Sequence, residues 1–213
     1  LNTGEMGGMR ILVACEYSGI VREAFRAKGH DAVSCDLLES ETPGPHYQGN
    51  VFDIIHDGWD IMIAHPPCTH LAVSGSAHFA RKRELGLQKA ALDFVLRLMQ
   101  APINKICIEN PISIISSEIR KPDQIIHPYY FGDNVPKRTC LWLKNLPLLR
   151  YALSDTLFEK QTAVEPEYIL YNSSKNKTGK SKYSVLGKLG KGKGKERSKF
   201  FPGIANAMAE QWG

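Results

Sequence analysis

Short apolar runs alternate with amphipathic stretches along the first two-thirds of the chain. Arg10–Cys15 (RILVAC) reads as a strand, Ile20–Lys28 as a helix and Asp31–Cys35 as a second strand. After a loop rich in Pro and Gly, Asp60–Ala64 reads as a third strand. Between Arg81 and Gln100, Leu85, Ala91, Leu92, Val95, Leu96 and Met99 recur at helical spacing and predict one long helix. Lys105–Ile108 and Thr139–Leu143 read as further strands, and Ile204–Trp212 as a closing helix. Such alternation predicts an α/β fold, a mostly parallel sheet with helices on both faces. Leu1–Gly8 reads as a leader outside this fold, and the stretch from about Tyr151 to Lys199 shows neither period and is expected to be irregular.

Composition narrows the picture. A chain of 213 residues, 43% apolar and 23% charged, suits one globular domain. No apolar run reaches the roughly 18 residues of a membrane span. The five cysteines (Cys15, Cys35, Cys68, Cys107 and Cys140) never stand in a C-x-x-C spacing, so neither a disulfide framework nor a metal site is expected. A reducing, cytoplasmic setting fits them best. Four adjoin apolar runs and read as small buried hydrophobes; Cys68 does not.

The net charge of +5 is concentrated. Lys175–Lys199 holds nine Lys and one Arg against the single acid Glu196, leaving the rest of the chain at −4. The tract is rich in Gly and Ser, which suits contact with a polyanion without a rigid surface. Lys180, Lys182, Lys188, Lys191, Lys193 and Lys195 are its candidate phosphate contacts.

In parallel sheets ligands bind beyond the carboxyl ends of the strands. The first strand runs into Glu16-Tyr17-Ser18-Gly19, where a glycine would let a ligand approach the backbone and a helix N-terminus would favour an anion. The second ends at Asp36, placed to accept hydrogen bonds from ribose hydroxyls. Together they suggest a nucleoside-containing cofactor. The third strand ends in His65-Pro66-Pro67-Cys68, whose prolines stiffen the backbone and hold a thiol at the mouth of the sheet, as a nucleophile requires. The fourth ends in Glu109-Asn110-Pro111; a carboxyl after the buried run Ile106-Cys107-Ile108 is costly unless it serves a ligand or a partner. A thiol beside a carboxyl suits chemistry on a pyrimidine, with addition at C6 and protonation at N3.

The ordered set Tyr17-Ser18-Gly19, Asp36, Pro66-Pro67-Cys68 and Glu109-Asn110, with about 40 residues between the last two motifs, resembles the DNA cytosine-5 methyltransferase family. Val135-Pro136-Lys137-Arg138 is similar to the family's later arginine motif, and Gly203-Ile204-Ala205-Asn206-Ala207 to its terminal Gly-Asn-Ala motif. The resemblance covers Arg10 to about Leu143 and Arg197–Gly213. It implies a Rossmann-like fold binding S-adenosylmethionine, with Cys68 as nucleophile, Glu109 holding the base and Arg138 contacting the base or the thiol. It further implies Tyr17, Ser18 and Gly19 near the cofactor's adenine end, Asp36 on its ribose, Pro66 in its wall and Asn206 near its methionine end. The partner would be double-stranded DNA with the target cytosine flipped out.

The chain also departs from the family pattern. Val21 and Arg22 stand where glycines are expected, and Asn50 where an aspartate usually meets the adenine amine. One arginine replaces two in the later motif. The large target-recognition domain is absent, with the basic tract in its place, as in small members resembling phage-encoded enzymes. The expected organisation is a catalytic core over residues 9–150, a reduced DNA-contact segment over 151–199 and a returning helix over 200–213, acting as a monomer on a short recognition sequence. The alternatives are methylation of RNA or of a cytosine nucleotide, and a nucleic-acid-binding relative without catalysis.

Overall fold

Ile11–Ala14 and Ile61–Ala64 are each an unbroken run of fully buried residues, the pattern of strands covered on both faces. The computed structural model describes residues 7–155, 159–172, 180–184 and 199–213. In chain order these form β1 (Arg10–Ala14), α1 (Ile20–Ala27), β2 (Asp31–Asp36), β3 (His46–Gln48), β4 (Ile61–Ala64), α2 (Phe79–Glu84), α3 (Leu87–Met99), β5 (Lys105–Pro111) and α4 (Ile115–Glu118). There follow β6 (Gln124–Ile126), β7 (Thr139–Lys144), β8 (Tyr168–Asn172), β9 (Lys180–Ser184) and α5 (Pro202–Trp212).

One seven-stranded sheet has the order β3-β2-β1-β4-β5-β7-β6. Its first five strands run parallel, and β7 runs antiparallel to both of its neighbours, β5 and β6. The expected α/β architecture is therefore present, with a Rossmann-like order in its parallel part. Alternate residues of each strand serve opposite layers. Ile11, Val13, Ile61 and Ile63 pack with Val21 and Phe25 of α1 and Ile204, Met208 and Trp212 of α5. Leu12, Ala14, Met62 and Ala64 pack with Val95 and Leu98 of α3. The order turns back between β1 and β4, which opens a crevice beyond their carboxyl ends.

Three expectations need correction. The long helix expected over Arg81–Gln100 is two helices, α2 and α3, broken at Gly86, whose φ of 70° lies in the left-handed region. The stretch read as irregular contains an antiparallel hairpin, β8 against β9, with Leu170 opposite Lys182. Cys15, read as a buried hydrophobe, is only partly buried and adopts φ 59°, an uncommon conformation for a residue with a side chain. Of the basic positions, Lys188, Lys191, Lys193 and Lys195 lie outside the described residues, as does most of the leader. No helix among the described residues is long and apolar enough to cross a membrane.

Candidate active site

The β4–β5 pairing builds one half of the site. Ala64 pairs with Ile108, so the two chains leave the sheet side by side. The next residues touch directly: His65 Nδ1 lies 3.1 Å from Glu109 Oε2, and Asn110 Nδ2 donates to the Pro66 carbonyl at 2.8 Å. The His65 and Glu109 side chains are only 11% and 10% exposed. Burial alone would raise the Glu109 carboxyl. The His65 hydrogen bond, the His65 charge and the charge of Lys137 outweigh it and hold the group below the usual carboxylate range.

Cys68 stands beyond the two prolines, on a loop pinned from several sides. Its carbonyl accepts from Leu71 and Ala72 N–H at 3.0 and 2.9 Å, and Lys82 Nζ donates to the Thr69 carbonyl at 2.6 Å. The thiol is partly exposed. Burial foremost pushes the Cys35 thiol up to about 12 and Cys140 to about 11, and drives Cys15 and Cys107 well above the ordinary range. Thiols held protonated in this way are poor nucleophiles at neutral pH.

Five buried side-chain atoms among the described residues lack a hydrogen-bond partner: His65 Nε2, His70 Nδ1, Asn110 Oδ1, Ser113 Oγ and His127 Nδ1. All five lie at or beyond the carboxyl ends of β4, β5 or β6. Each unmet buried polar group costs about 1–3 kcal/mol, so each calls for a partner such as an ordered water or a polar ligand.

The β1–β2 end supplies two cavities that share Cys15, Asp36 and Pro67. One of about 280 Å³ is mostly apolar, walled by Leu37, Gly49, Asn50, Val51, Ala91 and Phe94 as well as the shared residues. The other, about 240 Å³, is lined by Glu16, Tyr17, Ser18, Leu38, His65, Lys199 and Phe200. Asp36 lies at their junction, and its Oδ1 accepts the Leu38 N–H at 2.9 Å.

Several expected residues have different neighbours from those foreseen. At Gly19, with φ 76°, a Cβ would meet the Arg22 guanidinium and Thr42. The N-terminus of α1 already holds an anion: Glu16 Oε1 accepts from Val21 N–H at 2.7 Å and Ser18 Oγ at 3.2 Å, and Oε2 from Arg22 N–H at 3.3 Å. Asn50 lines the apolar cavity while its Oδ1 caps the following turn through Phe52 N–H, 3.1 Å away. Pro67 rather than Pro66 forms the cavity wall. Asn206 is exposed on α5, and Lys199 and Phe200, just before that helix, reach the cavity instead. Arg138 is exposed near His127 and Cys140, whose ionisation it influences, whereas the charges acting on Glu109 are those of His65 and Lys137. On the hairpin, Lys182 Nζ sits 4.0 Å from the Tyr168 ring centroid.

No protein-family model matches this chain, and no curated protein matches it in sequence.

Proposed function

We propose that this protein is an S-adenosylmethionine-dependent DNA methyltransferase that modifies carbon 5 of cytosine through a covalent adduct on Cys68. The observation that carries the reading is a partly exposed thiol on a stiff Pro-Pro turn, next to strand ends where a buried carboxylate and five unpartnered polar atoms gather. A base edge, rich in donors and acceptors, is a ligand that such a surface can satisfy.

The residues present suit the cofactor. The apolar cavity offers Val51, Phe94 and Leu37 to an adenine, Asp36 would take the ribose hydroxyls, and Glu16 retains accepting capacity for an ammonium at the other end. When bound, S-adenosylmethionine supplies an electrophilic methyl group. Everything else falls to the protein. Cys68 as thiolate adds to C6 of the flipped cytosine, and Glu109, having first taken up a proton, delivers it to N3, so that C5 becomes nucleophilic. After transfer, loss of the C5 proton expels Cys68 and restores the ring. Asn110 and Ser113 would meet the base, and His65, with Lys137, holds Glu109 in its charged resting state. Lys180 and Lys182, with the remainder of the basic tract, would bind phosphates.

DNA containing 5-fluorocytosine tests the reading, because fluorine cannot leave C5 as a proton does. Incubation with S-adenosylmethionine should give a stable protein–DNA adduct whose peptide map places the base on Cys68. Absence of the adduct, or attachment at another cysteine, overturns the proposal.

A further inference from the structure

Resting on that reading, we infer that His65 is the positioning residue that hands Glu109 the proton delivered to the base, so that the two side chains work as one acid. Elementary chemistry sets the problem. N3 of cytosine and an ionised carboxylate are both hydrogen-bond acceptors, and they repel one another unless a proton lies between them. The resting Glu109 is ionised, and His65 Nδ1 is its hydrogen-bonding neighbour at 3.1 Å.

The His65 ring is held for this task. Its backbone N–H donates to the Ala14 carbonyl at 2.9 Å, extending the β1–β4 pairing by one residue. The Phe200 ring packs on it at a centroid distance of 4.6 Å. His65 also lines the smaller cavity, and its Nε2 is buried without a partner. The charged and titratable groups around the pair are Lys137, Cys107 and Cys140 on the Glu109 side, and Glu16, Tyr17, Asp36, Cys15 and Lys199 around the cavity.

The protons balance as follows. The pair takes one proton from solvent, leaving His65 with hydrogens on both ring nitrogens and Glu109 with none. When the base enters, the Nδ1 proton passes to the carboxylate, and the carboxyl group passes a proton to N3 as Cys68 adds to C6. His65 is then neutral, its remaining hydrogen on Nε2. Collapse of the adduct returns the N3 proton along the same line.

The test compares wild type with His65→Gln and His65→Asn. In the protein alone, the Glu109 side-chain carboxyl followed by ¹³C NMR should titrate at higher pH in both variants, since the imidazole no longer holds it down. Adduct formation on 5-fluorocytosine DNA should slow by about 10²-fold, the lower end of the general-acid range. The fall in rate with rising pH should shift in the variants, because Glu109 then carries the acid's proton without the imidazole beside it. Affinity for DNA should stay within about twofold, as when only the chemical step is touched. A proton inventory of wild-type adduct formation in H₂O–D₂O mixtures gives a readout independent of the variants: a curved plot means two protons in transit, and a straight one means that Glu109 acts alone and overturns the relay. Wild-type adduct with unchanged rate, pH profile and carboxyl titration in the variants overturns the role of His65 and leaves the methyltransferase reading standing. No adduct from wild type overturns both.

Discussion

Two clusters of buried polar groups lie on the same edge of the sheet and follow opposite rules. Around α1, the Arg22 side chain is fully buried and every nitrogen is used. Nε meets Glu23 at 2.7 Å, Nη1 reaches Ser34 and Ser40 at 2.9 and 3.1 Å, and Nη2 reaches the Thr42 and Pro43 carbonyls at 2.7 and 3.2 Å. That cluster ties the 40–45 loop down and has nothing left to offer a ligand. Beyond β4, β5 and β6 the groups are equally hidden, yet five atoms wait without partners. Buried charge by itself therefore does not mark a site, because a saturated cluster is architecture. Unfinished hydrogen bonding near the partly exposed Cys68 thiol is what distinguishes the second cluster.

Substitutions sharpen this contrast. The largest effect should be that of Cys68→Ser: methyl transfer to DNA, followed with radiolabelled S-adenosylmethionine, should fall to background while the melting temperature holds. Cys107→Ala, in the core, should do the reverse and cost stability alone. Arg22→Met should destabilise the fold by about 1–3 kcal/mol in urea titrations, the scale of leaving buried hydrogen-bond acceptors unmet. A loss below about 1 kcal/mol, the scale of an exposed ion pair, would erase the distinction between the clusters.

Glu109→Gln should slow turnover by on the order of 10²-fold, roughly 2.7 kcal/mol in activation free energy, with cofactor affinity nearly unchanged. It should also alter acid stability. A carboxyl held below its unfolded value favours the native state above the ordinary carboxylate range and loses that contribution as pH falls through its native value. Acid unfolding of Glu109→Gln, followed by circular dichroism, should accordingly be less steep in that window. The smallest effect per residue belongs to the basic tract. Replacing Lys180, Lys182, Lys191 and Lys193 with Ala should weaken binding to all DNA sequences alike. The slope of log K against log salt should flatten by roughly 0.9 for each phosphate that is no longer neutralised. Bisulfite mapping on random DNA should show a site of about two base pairs, as expected where phosphate contacts outnumber base contacts. Four or more fixed bases would make the β8–β9 hairpin a reading element.

Much of the frame was legible because it rests on local pattern. Ile11–Ala14, Ile61–Ala64 and the α1 stretch announce themselves by apolar runs and helical spacing. The short β3 and β6, three residues each, carry too little period to read. The break at Gly86 was hidden by apolar residues on either side that keep helical spacing. In the site, the Pro-Pro-Cys and Glu-Asn motifs were visible as motifs, but His65, Lys137 and Phe200 were not, since their significance comes from pairing across the sheet: His65 and Glu109 are 44 positions apart. Glu16 left a signal that could have been used, an acid just ahead of a helix start. Arg22 left another, a long cation where a glycine was expected.

The packing of α5 on α1 has a consequence for how the chain comes into being. The Lys28–Glu210 ion pair joins residues 182 positions apart, and α5 covers Val21 and Phe25. At a synthesis rate of about 5–20 residues per second, the first helix emerges roughly 10–40 seconds before its cover does. During that interval an apolar surface on the nascent chain stays open to water, and Phe200 has not yet reached His65. The core around α1 should thus close only once α5 has been made and has docked.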